Sequence, residues 1–165
     1  LVHNNNPSGL HSPYLVRKYV DPTHLPYSYA TRSDQDFVLL RYAEVLLIYA
    51  ESQNEAAGQD ASVHKAVNDV RGRTGINMPA LPDDLDKDAM HEAIRHERRV
   101  ELAAEGLRYL DIKRWRTAED VIPTLAEPGG AARQFDPDKH YLFPFPQSEV
   151  DVNTFLDQNP KYEAN

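Results

Sequence analysis

The segment from Phe37 to Ala57 contains neither glycine nor proline, and Gly58 closes it. Within it Tyr42, Val45, Leu46 and Tyr49 recur at three- and four-residue steps, and Leu39, Ala43, Leu47 and Ala50 form a second such set. A period of about 3.6 residues places each set on its own stripe of a helix. A helix with two apolar stripes must contact more than one neighbour, which points to an assembly of packed helices. Asp60 is placed to cap a second helix over about residues 60–74, with Val63, Ala66, Val67 and Val70 as its stripe and Gly75 near its end. The two or three residues around Gly58 leave room only for an antiparallel helical hairpin.

Downstream, Met78–Leu85 reads as a proline-bearing loop. Asp86 then caps a helix predicted from about Lys87 to Glu105, with Asp88 in the first turn, where the macrodipole favours acids. Gly106 breaks it. Arg108–Trp115 reads as one further short helix, and Pro123 limits a last one over Ala118–Leu125. The two ends of the chain differ from this middle. Residues 1–36 hold Pro7, Pro13, Pro22 and Pro26 and four of the nine tyrosines, and read as an irregular loop region with a short strand within Tyr14–Val20. In residues 126–165 acids outnumber bases, and Tyr141-Leu142-Phe143-Pro144-Phe145-Pro146 is forced into extended geometry by its prolines. The expected organisation is therefore a loop region, 1–36, followed by a helical domain, 37–165. The fold class is all-α.

Composition narrows the function. The 165 residues carry 26 acids against 18 bases, a formal net charge of −8. A nucleic-acid binder needs a basic face to displace counterions, so that class is disfavoured. The absence of cysteine removes disulfides, thiolate metal sites and a cysteine nucleophile. The longest apolar run, Val45–Ala50, is far short of a membrane span.

The densest charged constellation is Glu97-Arg98-Arg99-Val100-Glu101, continued by Glu105, Arg108, Asp111 and Arg114. The apolar stripe that begins at Met90 and Ile94 runs directly into Glu97 and Glu101. Charges on a core stripe must be paired. Arg98, Arg108, Arg114 and, on the first helix, Arg41 are the natural partners. A structural ion network of Arg41, Glu97, Arg98, Glu101, Arg108, Asp111 and Arg114 is expected, in preference to a catalytic carboxylate pair. His91 and His96 superficially resemble a zinc-protease motif. They stand five residues apart instead of four, so they do not share a helix face, and no metal site is expected. Arg71-Gly72-Arg73-Thr74-Gly75 follows a helix instead of opening one, so it reads as a basic helix terminus and not as a phosphate loop. No cofactor motif is present. The remaining chemistry lies in residues 1–36, where His3, Asn4, Tyr14, His24, Tyr27 and Tyr29 combine flat faces with hydroxyl-seeking polar atoms. They are the candidate ligand-binding residues; the alternative is that the aromatics of this region pack a long loop onto the helices.

Several blocks of the chain are similar to the SusD/RagB family. They are Val16-Arg17-Lys18-Tyr19, Phe37–Glu51, Val70-Arg71-x-Arg73-x-Gly75 and Ile94-x-x-Glu97-Arg98-Arg99-x-Glu101-Leu102-x-x-Glu105-Gly106-x-Arg108. Asp111-x-x-Arg114-Trp115, Tyr141–Pro146 and Gln158-Asn159-Pro160-x-Tyr162 complete the set. Gly72, Thr154 and Lys161 depart from the family's usual residues at local turns. The resemblance implies a superhelix of tetratricopeptide-like hairpins and a chain that is the C-terminal part of a longer one. It further implies a lipid-anchored protein on the outer face of an outer membrane, its anchor outside this chain. Such a protein captures glycans or other nutrients, caps a SusC-like TonB-dependent transporter and performs no catalysis. Two rival readings from the residues stay open: a helical protein–protein interaction scaffold, and a glycan-active hydrolase.

Overall fold

The computed structural model describes residues 2–3, 14–15, 17–21, 23, 36, 38–125 and 132–162. The described residues fall into two compact units, one reaching to Arg108 and the other starting at Tyr109.

In the first unit, helices α1 (Tyr42–Ala57), α2 (Ala61–Arg71) and α3 (Lys87–Glu101) pack together. Their starts follow local chemistry. The Asp60 carboxylate accepts from the backbone N–H of Ser62 at 2.7 Å and of Val63 at 3.0 Å, satisfying donors that have no intrahelical partner. The Ser62 hydroxyl and these amides together hold the Asp60 carboxyl down to about 2. Asp86 does the same for Ala89 N–H at 2.8 Å. Gly58 ends α1 at φ +86°, a backbone state costly for any residue with a Cβ.

Between α1 and α2, Gln53 Nε2 donates to Asp60 and the Tyr49 hydroxyl meets Ser62 Oγ at 2.7 Å. This pairing runs the two helices antiparallel. The third helix is antiparallel to α1 as well: Asn54 Nδ2 donates to Lys87 O at one end, and Arg41 reaches Glu101 at the other. The core formed between them comprises Ala50, Val63, Ala66, Val67, Met90 and Ile94, all buried, with Leu46, Leu81 and Leu85 packed against it. A second cluster joins Leu47 and Val70 to Leu102. At about 25 cal/mol per Å² of apolar surface, each fully buried Ile or Met contributes about 1.5–3 kcal/mol.

Of the two stripes on α1, the one carrying Leu47 and Ala50 is buried. Tyr42, Val45 and Tyr49 on the other remain exposed, as does Ile48. The helix also starts later than its apolar pattern predicts. Arg41 is the N-cap in extended geometry, and Leu39 before it is 87% exposed. The reason is the reach of Arg41 toward α3, described below. Likewise α3 stops at Glu101, four residues short of the expected end, because Ala104 and Gly106 adopt positive φ. The second helix ends at Arg71, with Gly72 as its C-cap. Of the strand expected within Tyr14–Val20, Tyr14–Leu15 (β2) forms among the described residues, paired antiparallel with Val2–His3 (β1). Residues 17–20 turn instead, with Tyr19 at φ +64°.

The second unit is built from short pieces. Helix α4 (Arg108–Arg114) leads into α5 (Ala118–Val121), a 3₁₀ turn at Ile122–Thr124, α6 (Pro137–His140) and α7 (Gln147–Val152). Ile112, Ala118 and Ile122 form its core, and Trp115, Val121, Phe135 and Tyr141 close over them. The expected helix over Ala118–Leu125 tightens into the 3₁₀ turn because Pro123 cannot donate to an α-helical ladder.

Tyr141 keeps helical backbone angles at the end of α6 and Leu142 bends, so the extended stretch expected over Tyr141–Pro146 shortens to its proline-bearing part, where Phe145 is the one residue between two prolines with an N–H to bond. Gln158 supplies its partner: Oε1 accepts from Phe145 N at 2.8 Å and Nε2 donates to Phe145 O at 2.9 Å. Asn159 Nδ2 donates to Phe143 O at 2.7 Å. These side-chain amides take the place of a neighbouring strand along the extended segment.

Candidate functional site

Three basic side chains converge on the C-terminal end of α3. Arg41 presents its fork to Glu105, with Nε 2.9 Å from Oε2 and Nη2 2.7 Å from Oε1. Its Nη1 meets Glu101 Oε1 at 2.6 Å. Arg73 takes the other Glu101 oxygen at 2.7 Å, and Lys18 bonds to Glu105. The backbone joins in: Glu101 O accepts from both Lys18 Nζ at 2.7 Å and Arg41 Nη2 at 2.8 Å. Cations at a helix C-terminus complement the macrodipole and satisfy carbonyls that lack intrahelical partners.

The carboxylates are nearly dry, at 8% exposure for Glu101 and 7% for Glu105. Burial pushes the Glu105 carboxyl up, but the hydrogen bonds from Arg41 and Lys18 together outweigh burial and hold it below its ordinary value. The same bond from Glu105, and next to it Glu101, raises Arg41 above its usual range against the cost of burial. One turn earlier, Glu97 Oε2 lies 2.6 Å from Arg71 Nη1. Arg98 Nε lies 3.8 Å from Glu51 Oε2, both buried.

The anticipated network members therefore separate. Arg41 and Glu101 come together, but the partner of Glu97 is Arg71, and that of Arg98 includes Glu51. Asp111 and Arg114 pair with one another at 3.0 Å in the second unit, on successive turns of α4. Arg108 is half-buried where α4 begins. Sequence reasoning missed Lys18, Arg71, Arg73 and Glu105 as partners, although all four fall within the family-like blocks. Their convergence depends on the turn after α2 and on the unwinding of α3 beyond Glu101.

His91 Nδ1 lies 3.0 Å from Glu55, while His96 is exposed. Among the described residues no group of three His, Asp or Glu side chains is arranged to hold a metal ion. Of the candidate ligand residues, His3 and Tyr14 are register partners across the β1–β2 pair. Asn4, His24, Tyr27 and Tyr29 lie outside the described residues.

Among the described residues, two cavities open to solvent stand out. One, of about 680 Å³, lies beside the Arg71 and Arg73 ion pairs and is floored by Ile76, Met78 and Val100. The other, of about 410 Å³, lies in the second unit among Tyr109, Ile122, Gln134, Phe135 and His140, with Arg133 at its side. Its aromatic wall is ordered: the Phe135 ring stands edge-on to Tyr141 at 4.9 Å and tilted against His140 at 5.4 Å. No helix among the described residues is long and apolar enough to cross a membrane.

These features define an all-α protein of tetratricopeptide-like helical hairpins whose buried charges hold its segments together. The family model of the SusD family matches residues 2–162, and the chain belongs to that family. SusD-like protein P2 of Formosa agariphila is 32% identical over 154 residues, covering 89% of this chain and 30% of that protein. SusD-like protein P25 of the same organism is 33% identical over 162 residues, covering 94% and 29%. Among solved structures, a SusD homolog from Bacteroides thetaiotaomicron superposes with a TM-score of 0.60 at 36% identity, covering 75% of this chain and 26% of that one. A SusD superfamily protein from Parabacteroides distasonis gives 0.63 at 28% identity, covering 79% and 28%. The chain thus spans about 30% of the length of the curated relatives it matches.

Proposed function

We propose that this chain is part of a SusD-like nutrient-binding protein that captures glycans at the cell surface and hands them to a SusC-like TonB-dependent transporter. The observation that carries this reading is the family match over residues 2–162, with the family-like blocks in order along the chain. Placement on the extracellular face of the outer membrane, through a lipid anchor outside this chain, belongs to the same proposal. So does a role for the sugar-seeking residues of the 1–36 region, His3, Asn4, Tyr14, His24, Tyr27 and Tyr29.

Capture without catalysis suits the chemistry of the buried carboxylates. A glycosidase needs one carboxyl free to donate a proton and another free to attack or activate water. Glu97 is bonded to Arg71, and both Glu101 oxygens are bonded to arginines, so neither is available for proton transfer. The exposed apolar stripe of α1 is the feature that favours the scaffold reading. Titration calorimetry against a panel of oligosaccharides, with product analysis of the same mixtures, tests the proposal. Binding with intact sugars is expected. Released shorter sugars would replace it with the hydrolase reading, and a protein that binds no glycan would remove it.

A further inference from the structure

We propose that the cavity among Tyr109, Gln134, Phe135 and His140 is a subsite for one neutral sugar ring of a bound glycan. This inference rests on the glycan-capture reading and names a place for it in the second unit, away from the 1–36 region. A sugar ring offers an apolar C–H face and a rim of hydroxyls. A site for it therefore needs a flat apolar wall and a few fixed polar groups. Both are present. Tyr109 is 42% exposed, and its hydroxyl has no hydrogen-bond partner among the described residues. Phe135 is fixed between His140 and Tyr141, so its ring orientation costs no ordering entropy when a ligand arrives. Ile122, 8% exposed, closes the floor.

The polar groups are equally set. Gln134 is exposed and its side-chain amide makes no hydrogen bond among the described residues, so it has a donor and an acceptor to offer. His140 is held in one tautomer. The backbone N–H of Asp136 donates to Nδ1 at 2.7 Å, which makes Nδ1 the acceptor and leaves the ring proton on Nε2. An imidazole with a fixed donor suits a sugar hydroxyl. The cavity's volume, about 410 Å³, is at the small end of the range for ligand sites and matches a short stretch of sugar rather than a long chain.

The test is titration calorimetry of the protein with maltohexaose, cellohexaose, laminarihexaose and xylohexaose, repeated on Gln134→Ala and Tyr109→Leu. At least one of these sugars is expected to bind, and each substitution to weaken it about tenfold, the loss of one or two good polar or stacking contacts. Circular dichroism melts are run on both variants. If Tyr109→Leu loses its fold, the exposed Gln134 alone decides. A sugar that binds the parent protein and both folded variants within about twofold overturns the subsite and leaves the capture reading standing. If none of the four binds the parent protein, the subsite for neutral sugar fails together with the neutral-glycan form of that reading.

Discussion

Lys113 Nζ lies 3.6 Å from the centroid of the Phe143 ring and 5.2 Å from that of Tyr109, with no hydrogen-bond partner among the described residues. The residue is 7% exposed. An ammonium shut away from water costs free energy unless something replaces its hydration. Here the replacement is the negative faces of two rings, worth about 2 kcal/mol when desolvated. The contact ties α4 to the extended segment that Gln158 and Asn159 hold from the other side.

Lys113→Met is expected to leave stability unchanged or raise it, since the methionine stem fills the same space without a charge to desolvate. Phe143→Leu, which leaves the ammonium buried beside one ring fewer, is expected to cost about 1–2 kcal/mol. Burial lowers the Lys113 pKa from 10.5, so the unfolded chain binds the proton more tightly. Stability of the parent protein therefore rises with pH from the folded-state value up to about 10.5. Lys113→Met abolishes that rise. Urea titrations at neutral and at alkaline pH measure both effects.

Glu97→Ala removes the partner of Arg71, whose side chain is 15% exposed. Leaving a largely buried guanidinium without its carboxylate is expected to cost about 3–5 kcal/mol. The double variant Glu97→Ala/Arg71→Ala is expected to lose less than the two single variants added together. A single-variant loss below about 1 kcal/mol, the range of an exposed pair, would show that the pair contributes as a surface contact only.

The acid limb of stability is expected to depend on Glu105. Its folded-state pKa lies below the ordinary 4.5, so above 4.5 the carboxylate's full contribution is present. As pH falls through the folded-state value the contribution is lost, because the unfolded chain takes up the proton first. Arg41 stays charged throughout this window. Glu105→Gln, which cannot ionise, is expected to be less stable at neutral pH and to lose less stability on acidification. Thermal melts between pH 3 and 7 show whether the two curves converge.

Gln158→Ala removes both bonds to Phe145. The Phe145 amide is exposed to solvent, so the global cost is expected to be small, about 1 kcal/mol. Hydrogen exchange gives the sharper readout: protection at Phe145 is expected to disappear while that of α1 and α3 is unchanged. Unaltered protection at Phe145 would mean that the amide pair does not hold the segment.

The helices were legible because what sets them acts over a few residues. Asp60 and Asp86 cap the helices that follow them, Gly58 stops α1, and the stripe of Met90 and Ile94 faces the core as its spacing predicts. The family was legible for a related reason: its blocks are contiguous runs whose order and spacing survive in the linear chain. Buried charge on α3 was also readable, since Glu97 and Glu101 continue an apolar stripe. The identities of their partners were not. Arg41 finds Glu101 from 60 positions away and Arg71 finds Glu97 from 26. The choice among several arginines depends on which guanidinium the packed helices bring within 3 Å. The sites at which α1 begins and α3 ends follow from the same choice: the pull of Arg41 on Glu101 and Glu105 outweighs the helical preference of residues 38–41 and 102–105, good helix formers in the main. The sugar-sized cavity gathers Tyr109, Ile122, Gln134 and His140 from separate short elements, and no periodicity records such a meeting. By itself the sequence determined the elements and the family. Tertiary structure alone decided which side chains meet, because ion pairing and cavity formation depend on distances in space, which linear spacing does not encode.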